Sequence, residues 1–338
     1  MRAVGFHKSL PIEDAQALLD LGLPEPVPGP RDLLVRVRAV SVNPVDTKVR
    51  RRANPPEGQP QVLGYDAAGL VEAVGPEVTR FKVGDPVFYA GALGRPGTNA
   101  ELHCVDERIV GHKPASLSFA EAAAMPLTAI TAWEALFDRL DIRRPVPGAA
   151  LAVLIVGGAG GVGSIAVQLA RRLTDLTVIA TASRPETAAW SRTLGAHHVI
   201  DHTRPLAAEV AALGIGAPGF VFSTTHTDRH LPEIGALVAP QGRFALIDDP
   251  AALDVLPLKQ KSVSTHWEFM FTRSMFATAD MDAQGRLLDE VSRLVDAGTL
   301  KTTVADHFGA ISAANLRRAH ALIESGRAKG KIVLEGWA

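Results

Sequence analysis

Between residues 151 and 182 the apolar positions fall into three successive patterns. Leu151 to Val156 is an unbroken apolar run, which reads as a strand buried on both faces and stopped by the glycines that follow it. Past Gly163, the residues Ile165, Ala166, Leu169, Ala170 and Leu173 recur at helical spacing and define one buried stripe. Leu176 to Ala182 reads as a second buried strand. Strand, glycine turn, helix and strand in this order make a βαβ unit, and Gly158, Gly160 and Gly163 have the G-x-G-x-x-G spacing inside it. That spacing supplies a tight turn, room for backbone to approach a phosphate, and close packing of helix on strand. With Gly161 and Val162 among them, these residues would hold the pyrophosphate of a dinucleotide at a helix N-terminus. An ordinary glycine loop would leave this agreement unexplained.

The first third of the chain is patterned differently. Asp32 to Val40 alternates, with Val35, Val37 and Ala39 on one face and Arg36 and Arg38 on the other, as in a half-exposed strand. Gly69 to Val74 and Asp85 to Ala90 predict further short strands, separated by turn-rich loops such as Gly91 to Thr98. Leu23 to Pro30 is a stiff, extended connector. A helical pattern returns from Phe119 to Phe137, and strands are expected at Phe220 to Ser223 and at Arg243 to Ile247 among further helices. The tail carries amphipathic helices from Arg286 to Ala297 and from Ala313 to Ser325. A final strand from Lys331 to Leu334 is expected to return to the first domain. The fold class is α/β, a mainly β domain plus a doubly wound, parallel-sheet domain.

Composition narrows the partners. A chain of 338 residues is long for one core, and 47% hydrophobic with 21% charged residues describes a folded protein. A net charge of -1 without a basic tract gives no footprint for nucleic acid or an anionic membrane, so the expected partner is a small molecule. No long apolar core opens the chain and no segment reaches membrane-spanning length, which leads us to expect a cytoplasmic protein. The single cysteine, Cys104, excludes an intrachain disulfide and a multi-cysteine metal cluster.

The end of the second strand bears on the choice of cofactor. An acidic residue there would accept from the ribose 2′-hydroxyl of NAD, but the residues are Ser183 and Arg184. A hydroxyl and a guanidinium suit a 2′-phosphate, so NADPH is the expected cofactor. In the other reading, Ser183 N-caps a helix that has Pro185 and Glu186 in its first turn, and Arg184 lies in solvent. The two readings are compatible.

Six motifs carry a wider resemblance: Asn43-Pro44-Val45-Asp46, Leu63 to Gly69, Val83-Gly84-Asp85, Pro126-Leu127-Thr128-Ala129, the glycine run ending at Gly163, and Lys329 to Leu334. In this order they resemble the medium-chain dehydrogenase/reductase superfamily almost end to end, and within it the zinc-independent quinone oxidoreductase branch. The resemblance implies a GroES-like β domain (residues 1–122 and 268–338) split around a Rossmann NADP-binding domain (123–267), an active site in the cleft between them, and a homodimer. Zinc alcohol dehydrogenases of this superfamily hold catalytic zinc with two cysteines and a histidine. Here the first cysteine is replaced by Asn43 and the histidine-glutamate pair by Tyr65-Asp66, the second cysteine falls near Ala124, and the four cysteines of a structural zinc are missing. No metal is expected. His226, Asp228 and His230 read as exposed loop side chains, and His197, His198 and His202 as structural or cofactor-proximal.

Without a metal, the protein has to orient the nicotinamide and stabilise charge developing on the acceptor's oxygen with neutral donors. Tyr65 and Asn43 stand where the resemblance places the missing metal, and Asp46 is a further catalytic candidate that alternatively braces its loop. Tyr65 is otherwise cleft wall, and Asn43 otherwise a turn residue before Pro44. Thr128 is expected near the nicotinamide, its alternative being a helix residue bonded to its own backbone. Thr224, Thr225 and Ile247 lie just past Rossmann strands as cofactor contacts. Lys331 either reaches a phosphate or is surface charge. Trp267 to Phe271 reads as core, cleft lining or dimer contact. The expectation is an NADPH-dependent oxidoreductase that reduces quinones or activated carbonyl and enone compounds. A zinc-type alcohol dehydrogenase and a non-catalytic NADPH-binding redox sensor are the alternatives.

Overall fold

The computed structural model describes residues 1–337; Ala338, the last residue of the expected first domain, lies outside the described residues. The chain forms two compact units, one of Met1–Ile130 with the segment from Phe271 onward, the other of Thr131–Met270. These junctions fall slightly further along the chain than the expected ones. Its first segment contains β1 (Arg2–Phe6), β2 (Leu19–Gly22), β3 (Asp32–Val42), α1 (Pro44–Arg52), β4 (Gln61–Val62), β5 (Ala67–Val74), β6 (Pro86–Tyr89), β7 (Leu102–Asp106), β8 (Val110–His112) and α2 (Phe119–Ala123). Helix α3 (Pro126–Trp133) carries the junction to the second unit. There follow β9 (Ala150–Val156), α4 (Gly161–Leu173), β10 (Thr177–Thr181), α5 (Pro185–Thr193), β11 (His198–Ile200), α6 (Leu206–Ala212), β12 (Pro218–Ser223), α7 (Thr227–Leu237), β13 (Arg243–Leu246) and β14 (Ser264–Trp267). The last segment adds α8 (Thr272–Met275), α9 (Ala283–Asp296), β15 (Val304–His307), α10 (Ala313–Glu324) and β16 (Lys331–Glu335).

The first unit is a GroES-like β domain built around β3. Its larger sheet runs β15-β16-β3-β5-β6-β8, and a smaller one runs β2-β1-β4. Antiparallel β7 covers Asp32 to Arg36, and antiparallel β16 covers Ala39 to Val42. The predicted alternation holds as far as Arg38, which is exposed. From Ala39 to Val42 every residue is buried, because α2 packs over β3 and β16 there. The expected final strand thus joins the central strand of the first domain.

The second unit has the Rossmann architecture. All its strands are parallel in the order β11-β10-β9-β12-β13-β14, which is 3-2-1-4-5-6 when counted within the unit. Ala152 to Val156 is wholly buried, as a parallel strand covered on both faces should be. The strand order reverses beside β9, so the carboxyl ends of β9 and β12 flank a crevice of the kind that binds ligands in such sheets.

Three expectations are corrected. The helical pattern from Phe119 to Phe137 is not one helix: Ser118 and Glu121 form a capping box on α2, Pro126 starts α3 after a break, and a π-turn spans Glu134–Arg139. A residue preceding proline resists helical geometry, which explains the break. Helix α9 starts a turn early, at Ala283. Trp267 to Phe271 is neither core nor surface throughout. Glu268, Met270 and Phe271 are buried, while Trp267 and Phe269 are exposed beside β14, the edge strand.

Candidate functional site

The glycine turn leaves β9 through Gly157, whose φ of +80° favours glycine. A Cβ on Gly157 would lie 2.4 Å from Thr224 Oγ1, one on Gly158 2.6 Å from Ala180 Cβ, and one on Gly163 2.2 Å from the Gly157 carbonyl oxygen. Gly160 meets only the Gly157 oxygen, at 3.5 Å, so its open side leaves room for another group to approach. Gly160 caps α4 without a side chain, and the first bond of the helix runs from Ser164 N to Gly160 O at 2.9 Å. The amides of Gly161, Val162 and Gly163 therefore precede the intrahelical ladder, and they are suited to an anion.

Around this turn the structure sets the other expected contacts. Ser183 is exposed just past β10. The alternative in which Ser183 caps the helix is corrected: Arg184 occupies the N-cap of α5 and its amide donates to Thr187 Oγ1 at 3.3 Å. The Arg184 guanidinium pairs with exposed Glu186 at 3.1 Å, an arrangement weak enough for a phosphate to replace. Thr224 donates its hydroxyl to Val156 O at 2.8 Å, the Thr225 hydroxyl bonds His226 Nδ1 at 2.8 Å, and Ile247 is half-buried just after β13. His226, Asp228 and His230 are not loop residues as expected, since they form the N-cap and first turn of α7. Sequence reasoning missed one link here. Thr181 Oγ1 accepts from Gly157 N at 3.0 Å and bonds His202 Nδ1 at 3.1 Å, while burial holds the His202 ring below the usual histidine range. A polar residue closing an otherwise apolar strand was the available signal.

A second group of functional candidates lies within the first unit. Pro44 starts α1, and Asn43 before it is the N-cap, in a capping box with Asp46. The Asp46 carboxylate accepts from Asn43 N at 2.7 Å and from Gly64 N at 3.0 Å. The Asp66 carboxylate accepts from Asn43 Nδ2 at 2.7 Å, from Leu127 N at 2.8 Å and from Lys331 Nζ at 2.9 Å. Lys331 also donates to Val42 O at 3.1 Å and to Asn43 Oδ1. Asn43, Asp46, Asp66 and Lys331 are each at most 2% exposed. Burial raises both carboxyls, that of Asp46 to about 7, against the pull of Lys331 and the amides. The expectation that Lys331 reaches a phosphate is corrected, because all three of its N–H donors have acceptors inside the protein. Asp46 braces the loop, and Asn43 is the hub that joins both carboxylates.

Tyr65 differs from its neighbours. Its ring is buried and packs edge-on against Phe271 at 5.4 Å, and its hydroxyl has no hydrogen-bond partner among the described residues. Burial, followed by the nearby Asp46 charge, pushes the phenol above its ordinary range, so it stays protonated at neutral pH. Thr128 is buried and donates to Met125 O at 3.1 Å, as its backbone-bonded alternative required. A separate cavity of about 450 Å³, lined in part by Arg95, Cys104, Arg108 and Met281, shares no residue with this cluster.

The positions aligned with zinc ligands do not fit zinc. They offer an amide, a phenol that stays protonated, a carboxylate already paired with an ammonium, and the methyl group of Ala124. No group of three or more His, Cys, Asp or Glu among the described residues is arranged to hold a metal ion. No described helix is long and apolar enough to cross a membrane.

Comparison with known proteins agrees with both units. Residues 29–133 match the alcohol dehydrogenase GroES-like domain and residues 194–334 the zinc-binding dehydrogenase family. A zinc-type alcohol dehydrogenase-like protein of Staphylococcus aureus is 40% identical over 99% of both chains. A quinone oxidoreductase of Pseudomonas aeruginosa is 33% identical over 91% of this chain and 92% of its own. A crystal structure from Rhizobium etli CFN 42, provisionally described as a zinc-dependent alcohol dehydrogenase, is 67% identical with a TM-score of 0.98, covering 100% of this chain and 98% of that one. The chain belongs to the medium-chain dehydrogenase/reductase superfamily of oxidoreductases.

Two outcomes follow from this geometry. Gly163→Ala should destabilise the fold by roughly 1–3 kcal/mol, since the methyl group would press into backbone. Gly160→Ala should leave stability nearly unchanged and weaken dinucleotide binding instead. Thermal unfolding and a fluorescence titration separate the two, and equal stability losses would refute the division of roles. Asp46 sets a pH dependence. Its folded pKa is raised to about 7, so the folded state holds the proton more tightly than the unfolded chain. Stability from this group is present at low pH and declines from about pH 4 toward neutrality, by at most roughly 1.4 kcal/mol per pH unit. Asp46→Asn should flatten that slope in urea unfolding across pH, and an unchanged slope would show that Asp46 titrates normally.

Proposed function

We propose that the protein is an NADPH-dependent oxidoreductase that reduces quinones or activated carbonyl and enone compounds without zinc. The observation that carries this reading is the Tyr65 hydroxyl, a protonated and unpartnered donor at a position aligned with a metal ligand, beside carboxylates that already have partners. NADPH when bound supplies hydride. Gly160 leaves space for the pyrophosphate, the amides of Gly161, Val162 and Gly163 hold it, and Ser183 and Arg184 take the 2′-phosphate. Thr224, Thr225 and Ile247 line the same sheet edge, and Thr128 stays in the proposed set through its place in the Pro126 motif. Tyr65 donates a hydrogen bond to the acceptor oxygen as negative charge develops there. Asn43 and Asp46 keep Tyr65's loop in place, because Asp46 binds the Gly64 amide next to it. A homodimer in the cytoplasm belongs to the same reading, supported by exposed Trp267 and Phe269 beside edge strand β14.

NADPH oxidation measured across quinones, enones and aldehydes tests the activity, and tight NADPH binding without turnover on any of them would replace the enzyme with a sensor. Tyr65→Phe should lower turnover up to about 10²-fold on the least activated acceptor, and less on quinones, which delocalise charge themselves, with NADPH affinity unchanged. Full turnover on the poorest acceptor would leave Tyr65 as wall only. Arg184→Ala should weaken NADPH by about 1–2 kcal/mol and NADH hardly at all, the half-exposed site keeping the effect modest. Equal losses in parallel titrations would reject the assignment of the 2′-phosphate.

A further inference from the structure

Building on the zinc-free reading, we propose that Lys331 is the resident cation of this site: its ammonium serves where relatives use a metal, holding Asn43 and Asp66 in place, and so acts as a positioning residue. Two positions aligned with zinc-site residues, Asn43 and Asp66, each present an oxygen to Lys331 Nζ, and the Val42 carbonyl supplies a third. Three N–H donors meet three acceptors, so the ammonium is fully satisfied although Lys331 is only 2% exposed. The other bonds of Asp66 go to Asn43 Nδ2 and Leu127 N, so the carboxylate is satisfied on both oxygens. A divalent ion placed among these oxygens would meet the ammonium at contact distance, and the two cations exclude each other. Lys331 starts β16, so one side chain ties the returning segment to the end of β3, the cap of α1 and the residue before β5. The family-level names suggest zinc, and the chain itself provides the positive charge.

The test uses the full-length protein. Lys331→Ala removes Cγ, Cδ, Cε and Nζ, the heavy atoms of n-propylammonium. The variant's Tm should fall by roughly 10 °C, since it leaves a buried carboxylate unpaired. Added n-propylammonium should raise the variant's Tm by several degrees and leave the wild type unmoved, whereas tetramethylammonium, which has no N–H, and neutral 1-propanol should do nothing. Turnover should recover with n-propylammonium while NADPH affinity stays constant. A variant Tm that does not respond to n-propylammonium overturns the cation role, and recovery of Tm without turnover overturns the positioning role. Where Lys331→Ala does not fold, Lys331→Met is compared with Lys331→Met/Asp66→Asn. The double variant should be the more stable because no charge is left unpaired, and the reverse order overturns the proposal. One tightly held zinc per wild-type chain overturns it as well. If the wild type reduces no acceptor, the proposed activity fails, and the Tm response still decides the role of Lys331.

Discussion

A buried ammonium has to find all its acceptors within hydrogen-bond reach, and Lys331 finds them on segments that are remote in sequence: the end of β3, the cap of α1 and the residue before β5. The attraction between Lys331 and Asp66 is offset by the cost of taking both from water, so the pair adds little net stability compared with an apolar filling. It does add a requirement for one arrangement. A shifted β16 would leave an unpaired charge on each side, and the strand register is held by that penalty. The Asn43 side chain sits at the centre, accepting from the ammonium and donating to the carboxylate, and it can do so because Pro44 starts α1 at that point. Local capping and the long-range ion pair therefore depend on the same residue.

The second unit solves a similar problem with backbone alone. Nothing charged stands at the start of α4, and three side-chain-free positions let strand, turn and helix approach to distances that no Cβ would permit. The Gly157 amide is directed inward to Thr181 Oγ1, while those of Gly161, Val162 and Gly163 stay ahead of the helical ladder. The N-terminal end of a helix carries partial positive charge, so this arrangement suits an anionic ligand before any side chain contributes.

The sequence made the second unit legible because local pattern determines it: periodicity, glycine spacing and strand order follow one another along the chain. In the first unit β3 was legible as far as Arg38, where one face meets solvent. Past Ala39 alternation stopped carrying information, because burial there comes from β16, more than two hundred residues away. The same separation hid the Lys331–Asp66 pair. Each residue interrupts an apolar run, Asp66 in Leu63 to Gly69 and Lys331 in Lys331 to Leu334, and a lone charge in each of two apolar runs was the clue available. It was read instead as a surface or phosphate-facing lysine, since periodicity within one segment does not say which segment covers it. Thr181 and His202 were missed for the same reason.

The proposed acceptor class follows from what the site can and cannot donate. A metal ion polarises an unactivated carbonyl through a full charge, whereas a phenol offers only a dipole. Tyr65 is a donor that does not ionise, because burial and the neighbouring Asp46 carboxyl both oppose a phenolate. It can stabilise charge that reaches the acceptor oxygen, but it cannot carry that charge itself. The ammonium of Lys331 does not make up the difference, as its hydrogens point at Val42, Asn43 and Asp66 and its charge is balanced by a carboxylate at 2.9 Å. An acceptor that spreads its own negative charge, as a quinone does over its ring and an enone over its conjugated carbons, needs no more than one neutral donor. A simple ketone would need more than this set of residues provides.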